Sequence, residues 1–221
     1  MAIKIIETAD GSTSFYNEEL DETYHSRHGA MQESLHVFIG AGLIPLQELQ
    51  KEISILEMGF GTGLNAWLTA VKSVDLNLRI NYTTLEAFPI TDEQVEKLNY
   101  SEWAKSETEK EIFSEIHKVP WGEFKEISKH FRIKKIKKEF ENFDANQEFD
   151  LIYFDAFGPD IQPELWNDEI FMKMYQALNQ GGILVTYSVK GSVRRAMKRA
   201  GFVVEKIPGP PGKREMCKAI K

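Results

Sequence analysis

Cysteine is almost missing from this chain. Cys217 stands alone among 221 residues, so no internal disulfide can form. That scarcity fits a reducing cytoplasm, and with no base close by in sequence Cys217 is expected to be a packed strand residue rather than a nucleophile. No run of eighteen or more apolar residues occurs, and no basic segment leads into an apolar one, so neither a helical membrane span nor a secretory signal is expected. Histidine is scarce at five. His25 and His28 have the spacing of a shared helix face, with His36 further on, but the acids nearby are not at metal-ligand spacing and H-E-x-x-H is absent, so no metal is expected. No G-x-S-x-G elbow and no P-loop occurs either. Positive charge is in deficit, with 27 Lys and Arg against 34 Asp and Glu, and a net charge of −7 argues against a chain that coats nucleic acid indiscriminately. The basic residues gather at 132–138 (RIKKIKK), at 190–199 (KGSVRRAMKR) and at Lys213 and Arg214.

What remains is the balance of one soluble globular domain, 42% hydrophobic and 28% charged. Apolar runs alternate with helical patterns, which predicts an α/β fold with a mainly parallel sheet. Seven strands are expected at 53–58, 79–86, 131–137, 149–155, 182–188, 202–207 and 215–220, with helices over 64–73, 164–178 and 189–200 between them. The loop PGPPGKR forces the last two strands into an antiparallel hairpin. Residues 91–130 are too many for a plain crossover and predict an inserted helical layer. The first fifty residues belong to no βαβ unit and predict an N-terminal extension, a hairpin over 3–7 and 14–16 followed by a helix through 30–40. Residues 51–221 then form the main domain, with no repeats and no convincing linker.

The chemistry concentrates where strands end. ISILEMGFGTGLN, at 53–65, is a short apolar strand that turns through Gly59, Gly61 and Gly63 into a helix. Three glycines let the backbone approach a ligand that any Cβ would block. A dinucleotide fingerprint needs its third glycine at the sixth place, which is Leu64, so NAD and FAD are disfavoured. The pattern E-x-G-x-G-x-G resembles the loop of S-adenosylmethionine (SAM) methyltransferases; a tight turn with no ligand is the competing reading. Asp155 and Glu86 each end a strand, where ligands sit in open α/β sheets, and Glu86 follows Gly63 at the distance expected of an acid that binds ribose hydroxyls. Asp155 has the competing role of a cap on the turn before Pro159. Glu57 lies inside the first strand, where burial is costly without a partner such as the ammonium of SAM. Phe88, Phe157 and Trp166 follow strand ends and are either core or a surface that stacks a base or lines a sulfonium.

The run D-x-F-x-P at 155–159, then P-x-x-W, G-G, V-R-R and a final K-R-E-M, closely resembles the methyltransferase part of the bifunctional MnmC enzymes. The loop E-x-G-F-G-T-G-L-N and the segment LEAFP at 85–89 are similar too, as are Tyr24–Ser26, Gly29, Glu33, Ser34, Val37 and Phe38 upstream. The resemblance implies a Rossmann-like class I SAM-dependent methyltransferase that methylates the aminomethyl group of the modified wobble uridine of tRNA, giving 5-methylaminomethyl-(2-thio)uridine. It implies SAM contacts from Glu57, Gly59, Phe60, Gly61, Gly63, Asn65, Glu86 and Ala87, and a catalytic Asp155 that orients the amine. Phe157 and Trp166 would stack the uridine, while Arg194, Arg195, Lys213 and Arg214 hold phosphates of the anticodon loop. The family's FAD-binding oxidoreductase domain is not expected within 221 residues. Its Gly-Asp after the third strand is Lys138-Glu139 here. Two other readings remain open: a methyltransferase for a small amine or a protein, and a catalytically silent SAM-binding module.

Overall fold

A computed structural model of the chain describes residues 3–221. The extension opens with a small antiparallel sheet of β1 (Ile3–Glu7), β2 (Thr13–Asn17) and β3 (Glu22–Thr23). Helix α1 (Ala30–Ser34) then runs into a π-helical stretch, Leu35–Leu43, and on into α2 (Ile44–Leu46). The stretch carries Gly40 and Gly42 for a steric reason: a Cβ on Gly42 would lie 3.1 Å from both the Tyr153 and Val185 side chains, so only glycine lets this helix settle on the sheet.

The main sheet is built from β4 (Glu52–Met58), β5 (Arg79–Glu86), β6 (Phe124–Ser128), β7 (Phe131–Lys137), β8 (Phe149–Phe154), β9 (Leu178–Thr186), β10 (Val203–Pro208) and β11 (Glu215–Ile220). Its order is β10-β11-β9-β8-β4-β5-β7-β6. The five central strands pair in parallel, and β10, β11 and β6 are antiparallel. The main sheet thus has eight strands where the sequence pattern predicts seven. The extra edge strand, β6, lies inside the inserted layer behind α4 (Asp92–Val95) and α5 (Glu107–Lys118). It is almost wholly exposed and so shows no apolar alternation to read.

Strand alternation splits the core across the two faces of the sheet. Ile53, Ile55, Tyr82, Leu151, Tyr153 and Val185 face the π-helical stretch, α3 (Leu64–Asp75) and α5. Leu56, Met58, Leu85, Ile152, Phe154 and Leu184 face α6 (Asp168–Ala177) and α7 (Gly191–Ala200). Phe15, Met31, Val37 and Phe38 of the extension belong to the first of these clusters, so the described part of the extension shares the main core. Cys217 is buried in the second, on β11.

The strand at 131–137 buries one of its basic residues. Phe131, Ile133 and Lys135 share a face, so Lys135, the middle residue of RIKKIKK, points inward and is 2% exposed. Its ammonium donates to the His117 carbonyl at 2.7 Å and lies over the rings of Trp121 and Phe60. Burial pushes it down to about 8, with the charge of Asp92 opposing.

Candidate functional site

The glycine loop takes its shape from neighbouring strand ends. Leu85 O accepts from the amides of Gly59 and Phe60 at 3.1 and 3.0 Å, and Gly59 adopts φ +100°, where a Cβ would lie 2.7 Å from Asp155 O. Gly63, at φ +74°, is the N-cap of α3. Glu86, at the end of β5, receives Gly61 N on Oε2 at 3.0 Å and Phe88 N on Oε1 at 2.9 Å. Burial raises its proton affinity and these amides lower it. Asp155 follows β8 directly, and its amide donates to Met58 O at 3.0 Å.

These ends open into a cavity of about 730 Å³. Gly59, Phe60, Gly61, Asn65, Glu86, Ala87, Asp155, Phe157 and Lys213 line it, so the structure gathers most of the residues singled out in the sequence. Asp155 is not a turn cap: among the described residues its carboxylate takes a hydrogen bond from Asn65 Nδ2, at 2.8 Å. Burial and the nearby Glu33 push Asp155 up to about 7, against the opposing pull of Asn65 and Lys213. An aspartate held there changes protonation near neutrality, which suits it to receive a proton from an amine.

Other expectations need correction. Glu57 does not line the cavity; it is fully buried behind the wall, where Thr84 Oγ1 donates to its Oε2 at 2.6 Å. Tyr82 and Asn65 also approach the carboxyl, and burial, the largest cause, pushes the group up to about 8. Gly63 also lies outside the lining and serves the loop as a cap. Trp166 is core: it is 4% exposed, packs against Phe154, Phe171 and Tyr187, and donates to Phe157 O at 2.7 Å, which fixes the loop that carries Phe157. Arg194, Arg195 and Arg214 do not line the cavity, whereas Lys213 does, and it is bound to Glu33 rather than turned outward. Lys190 pairs with Asp160, and Arg199 forms a two-bonded pair with Asp168. At the Lys138-Glu139 departure, the Lys138 amide continues the pairing with Glu86 O, and Glu139 and Phe140 reach the cavity.

The extension supplies a wall of the cavity that no local sequence pattern marks. Tyr24 meets Phe157 edge to face at 5.1 Å, and Glu33 and Ser26 also line the space. His25 is a structural residue. Its Nδ1 bonds Ser14 Oγ at 2.9 Å and its Nε2 bonds Thr62 Oγ1 at 3.3 Å, which fastens the extension to the glycine loop. Burial pushes it down to about 4, so it is neutral at pH 7. The one available signal was the similarity of 24–26 and 33–34 to the family's N-terminal segment. Among the described residues, no cluster of three or more His, Cys, Asp or Glu side chains is arranged to hold a metal.

The residues fit SAM on structural grounds. A glycine cradle that a Cβ would fill and, beside it, the strand-end carboxylate of Glu86 at the cavity wall suit a ligand that carries hydroxyls. A parallel α/β sheet with this loop and these two strand-end acids defines a Rossmann-like class I methyltransferase. Residues 100–221 match the family described as S-adenosyl-L-methionine-dependent methyltransferase, and the chain belongs to it. Over 216 residues the chain is 28% identical to the tRNA 5-methylaminomethyl-2-thiouridine biosynthesis bifunctional protein MnmC of Leptospira borgpetersenii serovar Hardjo-bovis (strain JB197), covering 90% of this chain and 32% of that protein. The namesake from Aromatoleum aromaticum (strain DSM 19018 / LMG 30748 / EbN1) is 30% identical over 212 residues, with 89% and 32% covered. The chain thus spans about a third of the length of these curated relatives. A crystal structure of MnmC2 from Aquifex aeolicus superposes with a TM-score of 0.82 at 26% identity, covering 99% of this chain and 70% of that one.

Proposed function

We propose that this methyltransferase transfers a methyl group from SAM to a primary amine, namely the aminomethyl substituent of a modified wobble uridine in tRNA. The observation that carries the reading is Asp155, a strand-end carboxylate in a cavity beside the glycine loop, held at about 7. Bound SAM supplies the electrophilic methyl group. Gly59 and Gly61 let the backbone close on its amino-acid end, Glu86 receives the ribose hydroxyls, and Ala87, Phe88 and Phe140 flank the base, with Glu139 in place of the family's aspartate. Asp155 binds the acceptor as an ammonium, orients it and takes its proton, and Phe157 and Tyr24 give the pyrimidine a face to pack on. The relatives' names, which tie them to 5-methylaminomethyl-2-thiouridine in tRNA, support this choice of acceptor. Its setting is the anticodon loop, in the cytoplasm.

A small free amine is the second reading, and one observation favours it. Among the described residues eight carboxylates line the cavity, Glu22, Glu139 and Glu141 among them, against Arg27 and Lys213, so the mouth attracts cations and repels phosphates. Methyl transfer from labelled SAM to tRNA and to simple primary amines, run across a salt series, separates the two, since only the RNA reaction should weaken steeply with salt. Asp155→Asn should lower kcat on tRNA about a hundredfold or more while leaving SAM affinity intact, and Glu86→Ala should weaken SAM first. Equal loss of SAM by both variants would mean that Asp155 serves the cofactor and not the acceptor.

A further inference from the structure

Glu33 on α1 is 7% exposed, and a lone carboxylate so deeply buried would be strongly destabilising. It is doubly bonded instead: Lys213 Nζ donates to Oε1 at 2.8 Å and Ser26 N donates to Oε2 at 2.9 Å. Lys213 comes from the loop between β10 and β11, at the far end of the chain, and its ammonium lies 3.9 Å from the centroid of the Tyr187 ring. Tyr187 OH donates at 2.8 Å to the carbonyl of Ala156, the residue after Asp155. Glu33, Lys213, Tyr187 and Asp155 all line the one cavity. Two more contacts join the same pair of segments. His36 Nε2 bonds Pro208 O at 2.9 Å, and Gly212 sits so close to His28 that a Cβ there would overlap the imidazole at 2.1 Å.

We propose that Glu33 and Lys213 are positioning residues, a charge-compensating pair that ties the N-terminal segment across the acceptor pocket and leaves Asp155 to the acceptor amine. This rests on the reading that Asp155 meets that amine. The groups that face Asp155 are Glu57 from β4, Tyr82 from β5, Asn65 from α3, Tyr187 beyond β9, Glu33 from α1 and Lys213 from the hairpin loop. Lys213 is the cation in that set. With it in place, Glu33 is compensated and Asp155 can ionise to meet an ammonium. Without it, two carboxylates repel and Asp155 holds its proton. Glu33 does raise the proton affinity of Asp155 and Lys213 does lower it, as this arrangement requires.

The test is a 13C NMR titration of the Asp155 carboxyl in the full chain, assigned with Asp155→Asn, which reads the group without any turnover. Lys213→Met should move its midpoint up and Glu33→Gln should move it down, each by about half a unit or more, and the double variant should return toward wild type. Lys213→Arg keeps the charge and should stay near wild type, which guards against a variant that merely misfolds. Shifts of the same sign in both single variants, or no shift in either, would overturn the pair's role. A wild type that is inactive on tRNA yet shows the opposed shifts would defeat the tRNA reading and leave this one standing.

Discussion

Two carboxyl groups, the fully buried Glu57 and the half-buried Asp155 at the cavity wall, hold their protons to about pH 8 and 7, and desolvation is the largest cause for both. A carboxyl whose folded pKa is raised binds protons more tightly in the native state, so its contribution to stability falls as pH rises from the unfolded value toward the folded one. His25 and His117, pushed down to about 4 by burial, act in the opposite direction over pH 4 to 6.5, so a single stability curve mixes the two effects. A difference between variants isolates one. Glu57→Gln preserves an acceptor for Thr84 and removes the ionisation. Denaturant unfolding of the SAM-free chain should therefore show the variant gaining on wild type from about pH 5 to 8, by up to about 1.4 kcal/mol per unit. Parallel curves would mean that Glu57 does not carry the proton. Methyl transfer should in turn rise as pH climbs through about 7 and Asp155 ionises, and the Asp155→Asn residual rate should lack that limb.

Among the elements, the glycine loop leaves no room for a side chain at Gly59. At Gly59 an alanine meets a carbonyl at 2.7 Å in a backbone conformation that L side chains rarely adopt, and the carbonyl belongs to Asp155. Gly59→Ala should weaken SAM binding in calorimetry by about tenfold or more and slow turnover as well; a variant that binds SAM like wild type would show that the loop does not close on the ligand. This loop was legible in the sequence, as were β5, β7 and β11, because apolar runs bounded by turn residues carry a local signal. The start of β9 was not. Leu178 continues the apolar face of α6, yet it begins a strand, because NQGG at 179–182 breaks the helix. The π-helical stretch was also hidden, since a segment buried by Val37, Phe38, Ile39 and Leu43 has no period that separates one helix type from another. The cavity wall made by Tyr24, Ser26 and Glu33 depends on contacts with Phe157 and Lys213, more than a hundred residues away, and no local pattern encodes those.

The whole molecule carries −7, and its cavity is acidic, so an RNA acceptor has to be held by phosphate contacts away from the mouth. Among the described residues Arg195 and Arg214 are exposed and form no ion pair, while Lys190 and Arg199 are engaged by Asp160 and Asp168. Charge reversal of Arg194, Arg195 and Arg214 to Glu should abolish methylation of tRNA and leave SAM affinity unchanged, and reversal of Arg132 and Lys134, on the far side of the sheet order, should do less. Normal activity in the first variant would place the RNA elsewhere. The most direct measurement of the central claim is nucleoside mass spectrometry on tRNA that bears 5-aminomethyluridine at the wobble position, treated with SAM and the full chain. The account predicts the gain of one methyl group on that nucleoside with wild type and none with Asp155→Asn; a wild type that binds SAM but leaves the nucleoside unmethylated at every salt concentration would contradict it.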